Sequence, residues 1–466
     1  MRRAAAAVLI LISVLATLAL SLPNDRPVLH PSPGTGMFLM LSDIHFDPYA
    51  DPVILEQLGA KPLAGCQTPA SGSFSKFGSD TNYPLLKSTL DNVVATATEN
   101  QFHYDYAIVT GDFLAHDFDT RYRQCVGGGD EAYRKFVSDT IVFVDAMIAK
   151  ALPGVPVFAA LGNNDSDSGD YEEPSNAFLQ SVGQDWSRGW GNPPATARAT
   201  ALASFERAGN YALPNPTAAN NELIILNTNL WAASNTQACS ETDPDPRGQF
   251  QWLGEVLARV KRARRTATLI MHILPGIDAM KSSLGAPQSL WTDLCTEKFI
   301  AGLSDFREVV GGIYAGHIHR DDFRLFPDRE GRPLLTVHVV PAVSPVYFDN
   351  PAVEVGWFGK RRGELRDYAP LYLNLGNSQP DWKVEYIFTR AYGFPAPNLA
   401  ALEELSHKIH EGNPDSGVGK QYANYHAAGA GPFLTKDIWS NYSCAQMEIT
   451  LARFAQCKRA ATNPEP

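Results

Sequence analysis

Between Met37 and about Pro345 one pattern recurs: a short apolar run rich in β-branched or aromatic residues, a polar tip, then a stretch with helical periodicity. The runs occupy residues 38–41, 106–109, 155–161, 223–226, 268–271, 311–315 and 334–340. Helical candidates lie at 85–98, 130–150 and 249–262. Such alternation predicts βαβ units, so an α/β fold whose strands are covered on both faces. Nearly every run ends in Asp, His or Asn, and open α/β sheets place their ligands at the carboxyl ends of strands.

The chain of 466 residues is 44% hydrophobic and 19% charged, a globular composition. Asp plus Glu number 50 against 39 Lys plus Arg, a net charge of −11, which argues against a nucleic-acid polymer or an anionic membrane as partner. Any phosphate must therefore be held by local positive charge. Met1-Arg2-Arg3, an apolar run from Ala4 to Leu20 and the small residues of Ala19-Leu20-Ser21 predict a signal peptide over residues 1–21. The expected location is secreted, periplasmic or lumenal, with no stable membrane span once the leader is removed.

In such a compartment six cysteines suggest three disulfides, in sequence order Cys66 with Cys125, Cys239 with Cys295 and Cys444 with Cys457. Residues 164–220 form a Gly, Pro, Asn and Ala-rich stretch carrying Trp186 and Trp190, read either as a wall of a cleft or as a disordered insertion. The basic run at 261–265 reads as a solvated helix end, and Asn441-Tyr-Ser443 has the form of a glycosylation acceptor. The expected organisation is a catalytic domain over 37–345 and a C-terminal subdomain over 346–466, with a helical segment at about 398–408.

The strand tips supply, in order, Asp43-Ile-His45, Gly111-Asp112, Gly162-Asn163-Asn164-Asp165, His272 and Gly316-His317-Ile318-His319. In an extended chain residues i and i+2 share a side, so Asp43 with His45, and His317 with His319, are expected to converge. Imidazole nitrogens with carboxylate and amide oxygens suit zinc, iron or manganese rather than calcium. Asp43, His45, Asp112, Asn163, His272, His317 and His319 are too many for one tetrahedral ion. They fit two divalent ions about 3.5 to 4 Å apart that share a carboxylate, an arrangement that clamps the attacking and leaving oxygens of a phosphoryl displacement.

These blocks resemble the calcineurin-like metallophosphoesterases, whose pattern runs D-x-H, GD, GNH, H and GH-x-H. Within them the chain resembles the acid sphingomyelinase-like phosphodiesterases, through Gly111-Asp-Phe-Leu-Ala-His116-Asp117, Ser344-Pro-Val-Tyr-Phe-Asp-Asn350-Pro, Tyr372-Leu-Asn-Leu and the stretch from Trp382 to Tyr392-Gly393. The resemblance runs from about residue 37 to the C-terminus. It implies a four-layer α/β/β/α sandwich, with Asp43, His45 and His319 on one metal, Asn163, His272 and His317 on the other, and Asp112 between them. Two dications against two ligand carboxylates and one hydroxide leave the pocket positive inside an acidic protein. A water acidified by the metals is then the expected nucleophile.

The chain departs from the family's GNH block, because Asn164 stands where the histidine is expected. An amide delivers no proton, so either His116 donates it or the leaving group is acidic enough to depart unaided. Little chain separates the leader from the first strand, so a saposin-like lipid-presenting module is not expected, and soluble nucleotide-type diesters stand beside phospholipid head groups as substrates. The implied function is a secreted dinuclear-metal phosphodiesterase with zinc as the first candidate metal. The alternatives are an endopolyphosphatase, which a GNND block also resembles, and a pseudoenzyme that binds phosphate without turning it over.

Overall fold

A computed structural model of the chain describes residues 29–64, 66, 72–431 and 433–462; the expected leader at 1–21 lies outside the described residues. The strands described are β1 (Thr35–Leu41), β2 (Tyr106–Val109), β3 (Val157–Ala159), β4 (Tyr211–Pro214), β5 (Asn221–Ile225), β6 (Thr266–Ile270), β7 (Val310–Ala315), β8 (Asp322–Pro327), β9 (Pro333–Val339), β10 (Ala352–Gly359), β11 (Leu365–Leu373) and β12 (Trp382–Val384). They form two sheets, ordered β12-β11-β10-β1-β2-β3 and β4-β5-β6-β7-β9-β8. In the first sheet β1-β2-β3 run parallel at one end and the β12-β11-β10-β1 pairings are antiparallel; in the second β5-β6-β7-β9 run parallel between antiparallel outer pairings. Every residue of β2 and of β6 is buried, as parallel strands covered on both faces require.

The sheets face each other. The Phe38 ring on β1 meets the Tyr314 ring on β7 edge-on at 5.6 Å. His338 on β9 meets the Glu354 carboxylate on β10 at 2.6 Å, both side chains buried between the layers. Outside the second sheet, the helix Gln249–Arg262 packs Leu253, Leu257 and Val260 into one core with Leu269 and Ile313. The helices Tyr83–Glu99 and Asp130–Ala151 cover the first sheet, with Val93, Val137, Ile141 and Val144 buried in the other core. This is the α/β metallophosphoesterase-type layering that the sequence predicts.

Residues 164–220 are ordered. The helices Asn176–Gly189 and Ala195–Ala208 bury Trp186, and Trp190 stacks on Tyr211 at 4.6 Å. Ser175 opens the first of these by accepting from the Phe178 amide. The first carries an apolar stripe of Phe178, Leu179, Val182 and Trp186, whereas the second is rich in Ala and Thr and its stripe is thin. Beyond residue 345 the chain adds β10, β11 and β12 to the first sheet, and the helices Leu399–Glu411 and Lys436–Met447 pack over β8. Asn441 lies buried in the second helix against the Lys458 ammonium, which leaves no room for a glycan. The basic end of Gln249–Arg262 is solvated, with Lys261 paired to Glu308 at 2.6 Å.

All three expected disulfides are present, spanning 59, 56 and 13 residues. Among the described residues no helix is long and apolar enough to cross a membrane. In the chain-entropy account, closing loops of 56 and 59 residues restricts the unfolded chain more than closing one of 13, by about 4 against about 3 kcal/mol. Thermal unfolding of the paired Cys→Ser variants should therefore show larger losses for Cys66/Cys125 and Cys239/Cys295 than for Cys444/Cys457. Equal losses would assign the stabilisation to native packing instead.

Candidate metal centre

The polar tips meet where the parallel strands of both sheets end. Asp43 and His45 follow β1, Asp112 follows β2, Asn163 and Asn164 follow β3, His272 follows β6, and His317 and His319 follow β7. Asp43, His45 and His272 are wholly buried and Asp112 nearly so. The route to convergence differs from the pleated geometry expected from sequence. Asp43, His45, Asp112, His317 and His319 all have left-handed backbone, with φ of 47°, 44°, 57°, 74° and 59°. Side chains therefore converge through tight turns rather than by strand alternation, at a cost of about 1–2 kcal/mol per residue.

Backbone bonds from neighbouring tips hold these turns in place. The Asp43 amide donates to the Gly111 carbonyl at 3.0 Å, that of His45 to the Asp112 carbonyl at 2.9 Å, and that of Gly316 to the His272 carbonyl at 3.0 Å. Two glycines are required for lack of space: a Cβ at Gly162 would fall on the Asp112 carboxylate, and one at Gly316 on the Ser42 hydroxyl. The Asp43 carboxylate is fixed in turn by the His317 amide, at 3.1 and 3.0 Å from its two oxygens.

The orientation of the rings shows what the pocket can hold. His272 directs Nδ1 at the Thr110 carbonyl, 2.8 Å away, and His45 directs Nδ1 at the Leu114 carbonyl, 2.9 Å away. A carbonyl only accepts, so Nδ1 carries a hydrogen and Nε2 is the ring nitrogen turned inward. His272 Nε2 then lies 3.0 Å from Asn163 Oδ1 and 3.2 Å from Asp112 Oδ2. The Asn163 amide is turned the same way, because its Nδ2 donates to Asp170 Oδ1 at 2.7 Å. His45 Nε2 lies 3.1 Å from His319 Nε2 and 3.4 Å from Asp112 Oδ2, and His319 Nε2 lies 3.3 Å from Asp43 Oδ1.

Imidazole nitrogens, carboxylates and an amide oxygen thus face one another across a buried pocket, an arrangement that positive charge between them, carried by protons or by a cation, satisfies. Asp112 belongs to two sets of donor atoms each within 4.8 Å of one another, one with Asp43 and His45 and one with His272 and His317. This buried Asp/His cluster can bind metal. The titration of its groups reflects the same demand. Burial alone would lower His45 and His272, but Asp112, reinforced by Asp43, overrides it and raises them to about 10 and about 9. Burial together with His272 presses His317 down to about 3, and burial presses His319 well below its ordinary value. Burial would also raise Asp112, yet His272 and His45 hold it well below the carboxylate range.

Asn164 points both of its donors at Asp112, the amide N–H to Oδ1 at 2.9 Å and Nδ2 to Oδ2 at 3.0 Å. His116 stacks on His45 with ring centroids 4.0 Å apart and joins His45 and His319 in a third donor set. Its partner is a residue that the sequence reading missed: Asp80 takes the His116 ring Nδ1 at 2.9 Å and the backbone amide at 2.9 Å, and accepts from the Ser344 hydroxyl at 3.2 Å. Asp80 sits in a loop after no strand, so no local pattern marks it. Asp165 closes the Gly162-Asn163-Asn164-Asp165 block. It accepts the Gly162 and Phe113 amides, both at 2.8 Å, and so ties the tip of β3 to that of β2; burial, with Asp112 nearby, raises it to about 6.

Two tyrosines flank the cluster. Tyr347 places its hydroxyl 3.4 Å from His116 Nε2, and Tyr171, within the 164–220 stretch, places its own 3.4 Å from His317 Nε2. Burial raises both phenols above their ordinary range. Together with His317, Met280, Lys281 and Arg320 they line a pocket beside the cluster.

No family model matches the chain. It is 25% identical over 450 residues to human "Acid sphingomyelinase-like phosphodiesterase 3b", covering 92% of each chain. It is 26% identical over 440 residues to human "Cyclic GMP-AMP phosphodiesterase SMPDL3A", covering 92% of this chain and 91% of the relative. "Sphingomyelinase phosphodiesterase D" of Dictyostelium discoideum is 22% identical over 403 residues, 85% of this chain and 83% of the relative. With five motif blocks gathered at one pocket between two facing sheets, and similarity along almost the whole length, the chain is similar to the acid sphingomyelinase-like phosphodiesterases, which supports its being a phosphoric diester hydrolase.

Proposed function

We propose that the chain hydrolyses small phosphodiesters at this cluster with two divalent cations, zinc before iron or manganese. Asp43, His45 and His319 would hold one, Asn163, His272 and His317 the other, and Asp112 both. The observation that carries this reading is the set of inward-facing acceptors around Asp112, fixed there by carbonyls that take the opposite ring nitrogens. Cations bound there would supply Lewis acidity toward phosphoryl oxygens and lower the pKa of water.

Asn164 serves as a positioning residue: with both donors on Asp112 it sets that carboxylate's orientation and moves no proton. The proton for a poor leaving group comes from His116. Asp80 fixes the tautomer by taking Nδ1, and Nε2 faces the Tyr347 hydroxyl at 3.4 Å, on the open side of the pocket.

The relatives' printed names point to substrates of two kinds, a cyclic dinucleotide and sphingomyelin. For this chain we place soluble nucleotide-type diesters and phospholipid head groups together, with polyphosphate as the comparison that decides the class. Three disulfides fit a secreted or lumenal protein. Export by the N-terminal leader belongs to the same proposal.

Removal of metal by a chelator should abolish hydrolysis of bis(p-nitrophenyl) phosphate, and zinc or manganese should restore it. Asp112→Asn should lower bound metal from about two ions per chain, with activity falling on the order of 100-fold or more. Metal analysis beside the assay checks both, and full activity in metal-free protein would end the proposal. A second measurement concerns the proton. His116→Ala and Asp80→Asn should each lower kcat on the order of 10² to 10⁴ for an alkyl diester and far less for a nitrophenyl ester. Equal losses on both substrates would remove His116 from the role of acid.

A further inference from the structure

Because Asn164 is committed to Asp112, the pocket lacks a donor from the position where the family pattern puts an imidazole. We infer that Tyr171 fills that role, its hydroxyl donating a hydrogen bond to a phosphoryl oxygen of the bound substrate. This rests on the phosphodiesterase reading above and adds a substrate-contacting residue to it.

Backbone geometry is the first support. Tyr171 has φ of 59°, and for a bulky side chain a left-handed conformation is a real outlier, of the kind that collects at functional sites. The turn that imposes it is anchored on the candidate ligand Asn163. The Tyr171 amide donates to the Asn163 carbonyl at 3.0 Å, while Asp170 next to it accepts from Asn163 Nδ2 at 2.7 Å. One turn therefore both aims the Asn163 oxygen at the cluster and presents Tyr171 beside it.

The position of the hydroxyl is the second support. The Tyr171 ring stands perpendicular to the His317 ring, with centroids 6.2 Å apart. Its oxygen lies 3.4 Å from His317 Nε2, at the outer limit of a hydrogen bond, and among the described residues it meets no closer acceptor. A phenol is a donor in want of an acceptor, and it stands at the edge of the space that a phosphoryl group at the cluster would enter. Across the same pocket, Tyr347 faces His116, while Lys281 is paired with Asp278 at 3.5 Å. Phosphoryl oxygens arriving there would meet donors from both flanks.

A hydrogen bond to a charged acceptor contributes enough to change affinity roughly 10- to 100-fold. The experiment uses the full metal-loaded chain and Tyr171→Phe, which keeps the ring and removes only the hydroxyl. Inorganic phosphate is the probe, as a competitive inhibitor of diester hydrolysis and by calorimetry. The expected result is an inhibition constant for phosphate raised roughly 10- to 100-fold, with metal content and thermal midpoint unchanged. An inhibition constant within twofold of the parent overturns the inference. So does a raised constant accompanied by lost metal, since Tyr171 would then act through Asn163 rather than on substrate. If the parent chain itself takes up no metal and no phosphate, the phosphodiesterase reading fails and this inference falls with it, an outcome separate from the other two.

Discussion

The Asp112 carboxylate, held dry among imidazole nitrogens, is the constraint around which the rest of the molecule is arranged. A buried carboxylate beside a second carboxylate and several imidazole nitrogens, with donors from Asn164 alone described on it, is costly unless further positive charge is supplied. Protons meet the need in part, through His45 and His272, whose affinities rise accordingly. They cannot meet it fully, because His317 and His319, in the same pocket, are driven the other way. Divalent cations satisfy all of these groups at once, whereas protons satisfy two rings at the expense of the others.

Holding such a cluster demands rigid surroundings, and the fold supplies them from both sheets. The left-handed turns at the tips are each unfavourable alone, so they must be over-determined by their neighbours. The Asp43 turn, for instance, receives the His317 amide on its carboxylate and the Ser344 amide on its carbonyl, drawing on β7 and on the chain after β9. Next to His319, buried Arg320 pairs with Asp349 at 3.2 Å, donates to the Tyr347 carbonyl at 3.0 Å and lies over the Phe433 ring at 4.1 Å. Through that one side chain the C-terminal helices brace the Tyr347 segment and the strand end that carries two candidate ligands. The contribution of residues beyond 345 is thus mechanical as much as architectural.

What could be read from the sequence follows from how locally each feature is encoded. Central parallel strands such as β2 announce themselves as unbroken apolar runs, and the helix Gln249–Arg262 by its periodic Leu and Val. The strands β4, β8 and β10 to β12 escaped, since Pro, Gly and charged residues interrupt their apolar runs. The ligand candidates were legible because strand tips are short and chemically conspicuous. Their backbone was not: nothing in Asp43-Ile-His45 reports that both ends are left-handed, because that conformation is imposed by Gly111 and Asp112 some seventy residues on. Asp80 was invisible for a related reason, as its meaning lies wholly in the approach of His116.

The replacement at Asn164 shows how such a site tolerates the loss of a proton donor. An imidazole at that position would bring a proton to the substrate; the amide brings two N–H groups to Asp112 instead. Hydrogen bonds to a carboxylate favour its ionised form and withdraw charge from its oxygens. Were Asp112 to hold two cations, as proposed, a carboxylate so withdrawn would neutralise them less and leave them more electrophilic toward phosphate. On that reading the exchange would move catalysis from proton delivery toward charge stabilisation. That balance suits leaving groups that depart as stabilised anions, and it leaves His116, held by Asp80 against the opposite ring of the cluster, as the one imidazole outside the candidate ligand set that can serve an alkoxide.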